Sequence, residues 1–367
     1  MTAERSLVAR TTARPGSDAA SGAREIATLP IDALDWKRFV QSQAGALAYH
    51  DPAWSLMLAE CYGFRPFALS LVGGGTILAG LPVVETRTLR GRQRWISLPF
   101  TDYCPPLAVT ASAAREFAAG LDGFRRHAGV QRLDVHSHVS GPSTFNHAAG
   151  FTHAVDLTVG STSLFAALDR SQVQRGIKRS RRDGVAIRRG DQESDLTEIF
   201  YDMHVHTRRR HGIPVQPRRF FELLWRRILE PDLGFLSLAY SGRTPVAGAV
   251  FLIGQETLTY KYSASLPEFW AQRPNHAIIW DAMEWACMRG FRTYDFGLTH
   301  FPSEGLRNFK RRWAAQESVL YRSVVGDTDH PSRSTEGIPG RALGVVIRHA
   351  PLWLCQGLGE LLYKYAA

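Results

Sequence analysis

One order of elements (helix, antiparallel hairpin, further helix, strand) can be read twice along the 367 residues of the chain. A single hydrophobic core stops growing beyond about 250–300 residues, so this order predicts two α/β (α+β) units rather than one. Residues 28–155 form the first expected domain and residues 160–325 the second. Residues 1–27 read as a disordered polar tail with no apolar signal-peptide core, 326–340 as a polar linker, and 341–367 as an amphipathic C-terminal helix.

Local signals support the scheme. Asp51-Pro52 reads as an N-cap followed by a first-turn proline. Phe67–Val72 and Thr76–Val84 flank Gly73-Gly74-Gly75 as a hairpin, and Trp95–Leu98 is a further strand. Helix 111–128 and strand Arg132–His136 follow. In the second unit, one helix is expected over 163–182, with strand Val185–Arg188 after it. Two more helices are expected near 195–209 and 217–229. Three strands then form a meander at 235–240, 246–253 and 257–263. The best-marked helix is 276–289, with Asn275 as its N-cap and Gly290 as its stop. Strand Arg292–Phe296 closes the series.

Composition narrows the function. The formal charge is +10, carried by Arg more than by Lys, which occurs only at 37, 178, 261, 310 and 364. The stretch 175–227 holds 14 Arg/Lys and 7 Asp/Glu, a net +7. A solvated helix face is the default reading of such a run. Recruitment of an anion such as tRNA, a pyrophosphate-linked sugar or lipid headgroups is the functional one. Cysteines 61, 104, 287 and 355 form no CxxC pair, which predicts free thiols in a cytoplasmic protein. The 13 His make no HExxH, and the pairs His136/His138 and His204/His206 lack a third ligand at a telling spacing, so no metal is expected. No run of 18 apolar residues predicts a spanning helix.

The candidate chemistry lies in the second unit. Thr257–Ser263 alternates, which places Leu258, Tyr260 and Tyr262 on one face and Lys261 on the other. Arg273-Pro274-Asn275-His276 then opens a helix whose N-terminus, with Ala277 in its first turn, is suited to an anion. Asp281 and Glu284 lie on the polar face of that helix and read as solvated. Asp295 ends a strand just before Gly297, a place where such sheets put polar function.

Taken in order, Lys261-Tyr262-Ser263-Ala264-Ser265, Arg273-Pro274-Asn275-His276, Tyr294-Asp295-Phe296-Gly297 and Gly305-Leu306-Arg307-Asn308-Phe309-Lys310-Arg311-Arg312-Trp313 resemble the FemAB-like branch of the GNAT acyltransferases. This branch includes peptidoglycan-bridge aminoacyltransferases and members found with exopolysaccharide and PEP-CTERM loci. Weaker resemblance covers Ser97–Tyr103 and Ile177–Val185. It implies two tandem GNAT-like domains, each a mixed, mainly antiparallel sheet flanked by helices. It implies N-acyl transfer with acyl-CoA or aminoacyl-tRNA as donor and no permanently bound cofactor. The acceptor would be an amine on a cell-envelope glycan or lipid-linked polysaccharide precursor.

By the motif, Phe309 and Lys310 are carried over as the place where acyl carbonyl and leaving group meet, with Asp295 as a further catalytic candidate. Arg273, Asn275, His276 and Ala277 are the donor candidates. Lys261, Tyr262 and Arg307, with Asp102 and Tyr103 of the first unit, are the substrate candidates, because the family's acceptor cleft lies mainly against the first domain. The helical arm of some members is absent from 160–322. The C-terminal helix either packs on the protein or lies on anionic lipid at the inner membrane face. A non-catalytic membrane-surface scaffold of a polysaccharide assembly is the alternative from another class.

Overall fold

In the computed structural model, residues 23–87 and 93–326 are described, with 344, 347–349 and 351 of the C-terminal stretch. Almost all of the expected tail, linker and C-terminal helix lies outside the described residues. The first strand begins at Glu25, inside the segment expected to be a tail.

Among the described residues thirteen strands make one sheet. In chain order they are β1 (Glu25–Pro30), β2 (Arg65–Gly73), β3 (Thr76–Arg87), β4 (Gln93–Ile96), β5 (Leu107–Ala108), β6 (Arg132–Val135), β7 (Thr144–Asp156), β8 (Val185–Arg189), β9 (Gly234–Ser241), β10 (Thr244–Ile253), β11 (Thr257–Ser265), β12 (Thr293–Asp295) and β13 (Gln316–Gly326). The helices are α1 (Leu34–Ser42), α2 (Pro52–Tyr62), α3 (Ala111–His127), α4 (Gly160–Ala167), α5 (Arg175–Arg182), α6 (Tyr201–His211), α7 (Arg218–Leu224), α8 (Pro274–Met288) and α9 (Glu304–Arg311).

Several elements form for the reasons visible in the sequence. The Asp51 carboxylate accepts from the Ala53 N–H at 2.8 Å to start α2, and Gly63 at φ 77° ends it. Gly74 and Gly75, at φ 57° and 76°, make the two-residue turn of the β2–β3 hairpin. The helix expected over 163–182 is instead broken. Leu168 is extended and the Asp169 carboxylate caps a new start by accepting from the Gln172 N–H at 2.7 Å.

The sheet order is β1-β2-β3-β4-β6-β13-β7-β12-β11-β10-β9-β8, with β5 beside β3. The strands of the two halves are therefore continuous. The last strand, β13, inserts between β6 and β7, pairing antiparallel with both. Packing also crosses the halves. Phe220 of α7 meets Trp54 and Tyr62 of α2 edge-on or tilted, 6.4–6.5 Å between ring centroids. A second core lies between α8 and the sheet, around Ile278, Ile279, Met283, Tyr294 and Trp313.

Candidate active site at the seam of the two halves

The parallel strands β11 and β12 pair over only three residues, Thr257–Thr259 against Thr293–Asp295. Beyond that point they part. Gly297 turns away at φ 67°, while β11 runs on to Ser265. A gap at the carboxyl end of adjacent parallel strands is a natural place for a ligand or a catalytic group. Here a loop from the first half reaches it. Leu98 and Phe100, both buried, hold that loop at φ 59° and 61°, a conformation that costs bulky residues about 1–3 kcal/mol each.

The loop delivers Asp102 and Tyr103. The Lys261 ammonium donates to Asp102 Oδ2 at 3.2 Å and to the Phe100 carbonyl at 3.0 Å. The Tyr49 hydroxyl donates to the same Asp102 oxygen at 3.0 Å. Asp102 also packs over Gly297, where a Cβ would stand 3.0 Å from its carboxylate. A side chain at that position would therefore displace the ion pair.

Lys261 owes its position to a bulge. Tyr260 pairs with Phe251 and Tyr262 with the next residue, Val250, so Lys261 is the extra residue of β11. The extra residue reverses the alternation. Tyr260 packs with the α8 core, whereas Tyr262 packs with Phe220 and Phe221 in the other. Tyr262 is thus half-buried against the core on the face opposite Tyr260, contrary to the shared face expected from simple alternation.

Asp295 and Lys310 lie deeper in the same gap, 1 % and 3 % exposed. Asp295 Oδ1 accepts from the Gly297 N–H at 2.9 Å, and Oδ2 is buried without a hydrogen-bond partner among the described residues. Burial pushes the Asp295 carboxyl up to about 6, against the Gly297 N–H that lowers it. Asp102 raises it further, and Lys310 and Tyr103 lower it. The Lys310 ammonium donates to the carbonyls of Gly297 and Leu298 at 3.0 and 3.2 Å. Burial brings it down to about 8, with Asp102 and Asp295 opposing the fall. Tyr103, half-buried and facing both carboxylates, stays protonated well above its usual range, raised first by desolvation.

A cleft of about 380 Å³ opens beside this cluster. Thr207, Arg210 and His211 border it from α6, Ser263–Ser265 from β11, and Phe309 from α9. Trp270, Arg273, Pro274, Asn275 and His276 form its remaining wall. The expected cap is shifted. Arg273, at φ 59°, is the residue before α8, with Pro274 as its first residue, so Asn275 sits inside the helix. The Asn275 side chain donates to Ser265 Oγ at 3.2 Å instead. His276 is kept neutral, brought down to about 4 by burial and then by Arg273. Its ring packs on Gly176, where a Cβ would come within 2.5 Å of it, and against Phe309 at 5.7 Å.

The structure therefore brings together Arg273, Asn275, His276 and Phe309 in the cleft, and Lys261, Asp102, Tyr103, Asp295 and Lys310 in the gap. It does not bring in Ala277 or Arg307, whereas the Tyr262 ring borders the gap, its centroid 5.4 Å from the Lys261 ammonium. Arg307 makes a two-pronged ion pair with Glu317, both contacts 2.7 Å, and lies over the Phe151 ring at 3.9 Å. Arg210 and His211, expected between helices, are in the last turn of α6. Asp281 and Glu284, expected to be solvated, pair with Arg189 and Arg181 on the surface. Sequence reasoning missed Tyr49, whose only signal was an aromatic residue just before a helix cap. It also missed Arg210 and Trp270 as cleft residues, since their partners are far off in sequence.

Among the described residues no helix is long and apolar enough to cross a membrane. Residues 169–311 match the family model of the acetyltransferase (GNAT) domain. The crystal structure of FemX is similar in fold, with a TM-score of 0.66 at 14 % identity over 81 % of this chain and 96 % of that one. The C-terminal domain of an Agrobacterium fabrum protein provisionally ascribed to the lysylphosphatidylglycerol synthetases has a TM-score of 0.54 at 14 % identity, covering 80 % and 92 %. L-PGS from Bacillus licheniformis has 0.51 at 13 % identity, covering 90 % and 98 %. No curated protein matches the sequence. The chain thus carries a GNAT acetyltransferase domain over the stretch that holds α8, β12 and α9, within a fold similar to that of FemX.

Proposed function

We propose that the protein transfers an acyl or aminoacyl group from acyl-CoA or aminoacyl-tRNA to an amine on a cell-envelope or polysaccharide precursor. The observation that carries this reading is a basic cleft at the N-terminus of α8 that ends on Phe309, one residue from the buried Lys310. Arg273, Arg210 and the N-terminus of α8 take the donor's phosphate charge, and Asn275 and His276 shape the wall. The shared fold with FemX makes the aminoacyl donor the first to test.

The reaction needs a neutral amine, a stabilised oxyanion and a protonated leaving group. The amine nitrogen attacks the acyl carbonyl, its proton passes to the Asp295 carboxylate, and that proton is returned to the leaving sulfur or ribose oxygen as the tetrahedral intermediate collapses. Lys310 supplies positive charge to the oxyanion as the bond to sulfur or ribose oxygen breaks. An ammonium carries three donors, and the two carbonyls use two of them. Asp102, Lys261 and Tyr103 form the acceptor side, contributed mostly by the first half. The protein works in the cytoplasm against the membrane face where lipid-linked precursors are built.

The test is product analysis by mass spectrometry after incubation with a panel of acyl-CoAs or charged tRNAs and small amine acceptors, in a salt series. Amide formation with one donor class supports the reading. A donor dependence that falls steeply with salt identifies tRNA, because each phosphate contact releases counterion. No transfer with either class would favour the scaffold instead.

A further inference from the structure

The cleft has one wall that charge alone does not explain. Trp270 stands at its edge, 46 % exposed, in a short turn between β11 and α8. The ring is not free to swing. Its indole N–H donates to Ser265 Oγ at 2.9 Å, and the same oxygen accepts from Asn275, so β11, the turn and α8 are tied at one atom. The Arg210 guanidinium lies over the ring, 5.0 Å from its centroid. Glu268 is the acidic group that acts on Arg210. Arg273 also lines the cleft, and near His211 the Arg348 side chain lies close to Gly212.

A fixed, exposed indole with a guanidinium on it, next to two further cations and a helix N-terminus, is suited to a flat heterocycle that carries phosphate. A cleft of about 380 Å³ is of the right order for a nucleotide. We propose that Trp270 is the stacking platform for the nucleobase of the acyl donor, the base lying on the ring face that Arg210 leaves free, with the Arg210 guanidinium at the ring taking the first phosphate. The claim rests on the donor reading above and deepens it. The donor is a purine nucleotide conjugate, which coenzyme A and the 3′ end of a charged tRNA both supply. Stacking tolerates any base, because every base has a π face. Discrimination then comes from the phosphates.

The test compares ligands that do and do not carry a base. Binding of adenosine 3′,5′-bisphosphate, coenzyme A, a tRNA acceptor-stem minihelix and inorganic pyrophosphate is measured by calorimetry for the full chain and for Trp270→Ala, Trp270→Phe and Arg273→Ala. Stacking on an aromatic side chain predicts a loss of roughly 5- to 150-fold for base-carrying ligands in Trp270→Ala. Pyrophosphate affinity stays unchanged in that variant. Trp270→Phe keeps most of the affinity, which separates stacking from misfolding. A loss confined to coenzyme A and the bisphosphate names the small carrier, and one confined to the minihelix names tRNA. Either result supports the platform. Equal loss for pyrophosphate and nucleotides, or no loss for any, overturns it. Where Trp270→Ala loses nothing but pyrophosphate binds and Arg273→Ala removes that binding, the donor site stands and only the platform falls. If no ligand binds the wild-type protein, both readings fall.

Discussion

The Lys261 ammonium, raised out of β11 by a bulge, donates to the Asp102 carboxylate across 3.2 Å and so fastens the first half into the opening between β11 and β12. Lys261 is 5 % exposed and Asp102 25 %. Removing one member of a fully buried pair costs about 3–5 kcal/mol; the partial exposure of Asp102 lowers that here. Lys261→Met should therefore destabilise by about 2–3 kcal/mol in denaturant titration. Lys261→Met combined with Asp102→Asn should recover part of it, since no charge is left stranded. A double variant as unstable as the sum of the two singles would show that the pair is not coupled.

The two buried titrating groups predict the pH behaviour. Asp295, raised to about 6, binds more protons in the folded state than in the unfolded one between about pH 4 and 6. Its contribution to stability is full below pH 4 and is lost as pH rises through 6. Lys310, lowered to about 8, binds fewer protons when folded than when unfolded between about pH 8 and 10.5. That contribution is present above 10.5 and lost as pH falls through 8. With Asp295 ionised and Lys310 protonated in the active form, kcat/KM should be bell-shaped, with limbs near 6 and 8. In Asp295→Asn the lower limb should vanish along with most of the rate. A variant that keeps the lower limb would assign it to another group.

Arg307 lies in the family-like string but is engaged elsewhere. Its bond to Glu317 holds that carboxylate at about 2, with the buried His153 donating to the same group at 3.0 Å. The stability this carries is present above the usual Glu range and is lost as pH falls toward 2. Arg307→Ala should lower the melting temperature at pH 7 and flatten the acid limb of stability. Donor and acceptor KM should stay within about twofold of wild type. A large rise in either KM, with stability intact, would return Arg307 to the binding site.

Little of the C-terminal stretch is described, yet Ile347 is fully buried in the larger core and Gly344 lies against Gly212. Ile347→Ala should cost about 2–4 kcal/mol, read from chemical denaturation. An unchanged midpoint would mean that this segment leaves the protein in solution, as membrane docking requires.

Most of the individual elements were legible because their determinants are local. Asp51-Pro52 announces α2, the glycines at 74 and 75 announce a hairpin, and Gly290 announces the end of α8. The strands β7 and β13 were not legible. Their apolar residues do not alternate regularly with polar ones, because the two strands pair with each other at the seam rather than each lining one core face. The site shows the same division. Asp295, Phe309 and Lys310 stood out by motif. The face of Tyr262 was misread because one bulged residue reverses period-two alternation, and a bulge leaves no mark in composition. Asn275 lost the cap because Pro274, with its fixed φ, starts the helix before it. Tyr49 became part of the site only through a loop more than fifty residues away, a contact that no local pattern encodes.

The central claim is that donor binding and acyl chemistry sit on adjacent but separate groups, Arg273 in the cleft and Lys310 in the gap behind Phe309. Steady-state kinetics of Arg273→Ala and Lys310→Met with the cognate donor test it most directly. Arg273→Ala should raise the donor KM while kcat changes little. Lys310→Met should lower kcat by roughly 10²–10³-fold with donor KM nearly unchanged. It should also cost about 1–3 kcal/mol of stability, since the carbonyls of Gly297 and Leu298 lose their donor. Lys310→Arg should rescue poorly, because the guanidinium is larger and does not fit a site built around a compact ammonium. Near-normal kcat in folded Lys310→Met, or the same kinetic signature in both variants, would contradict the account.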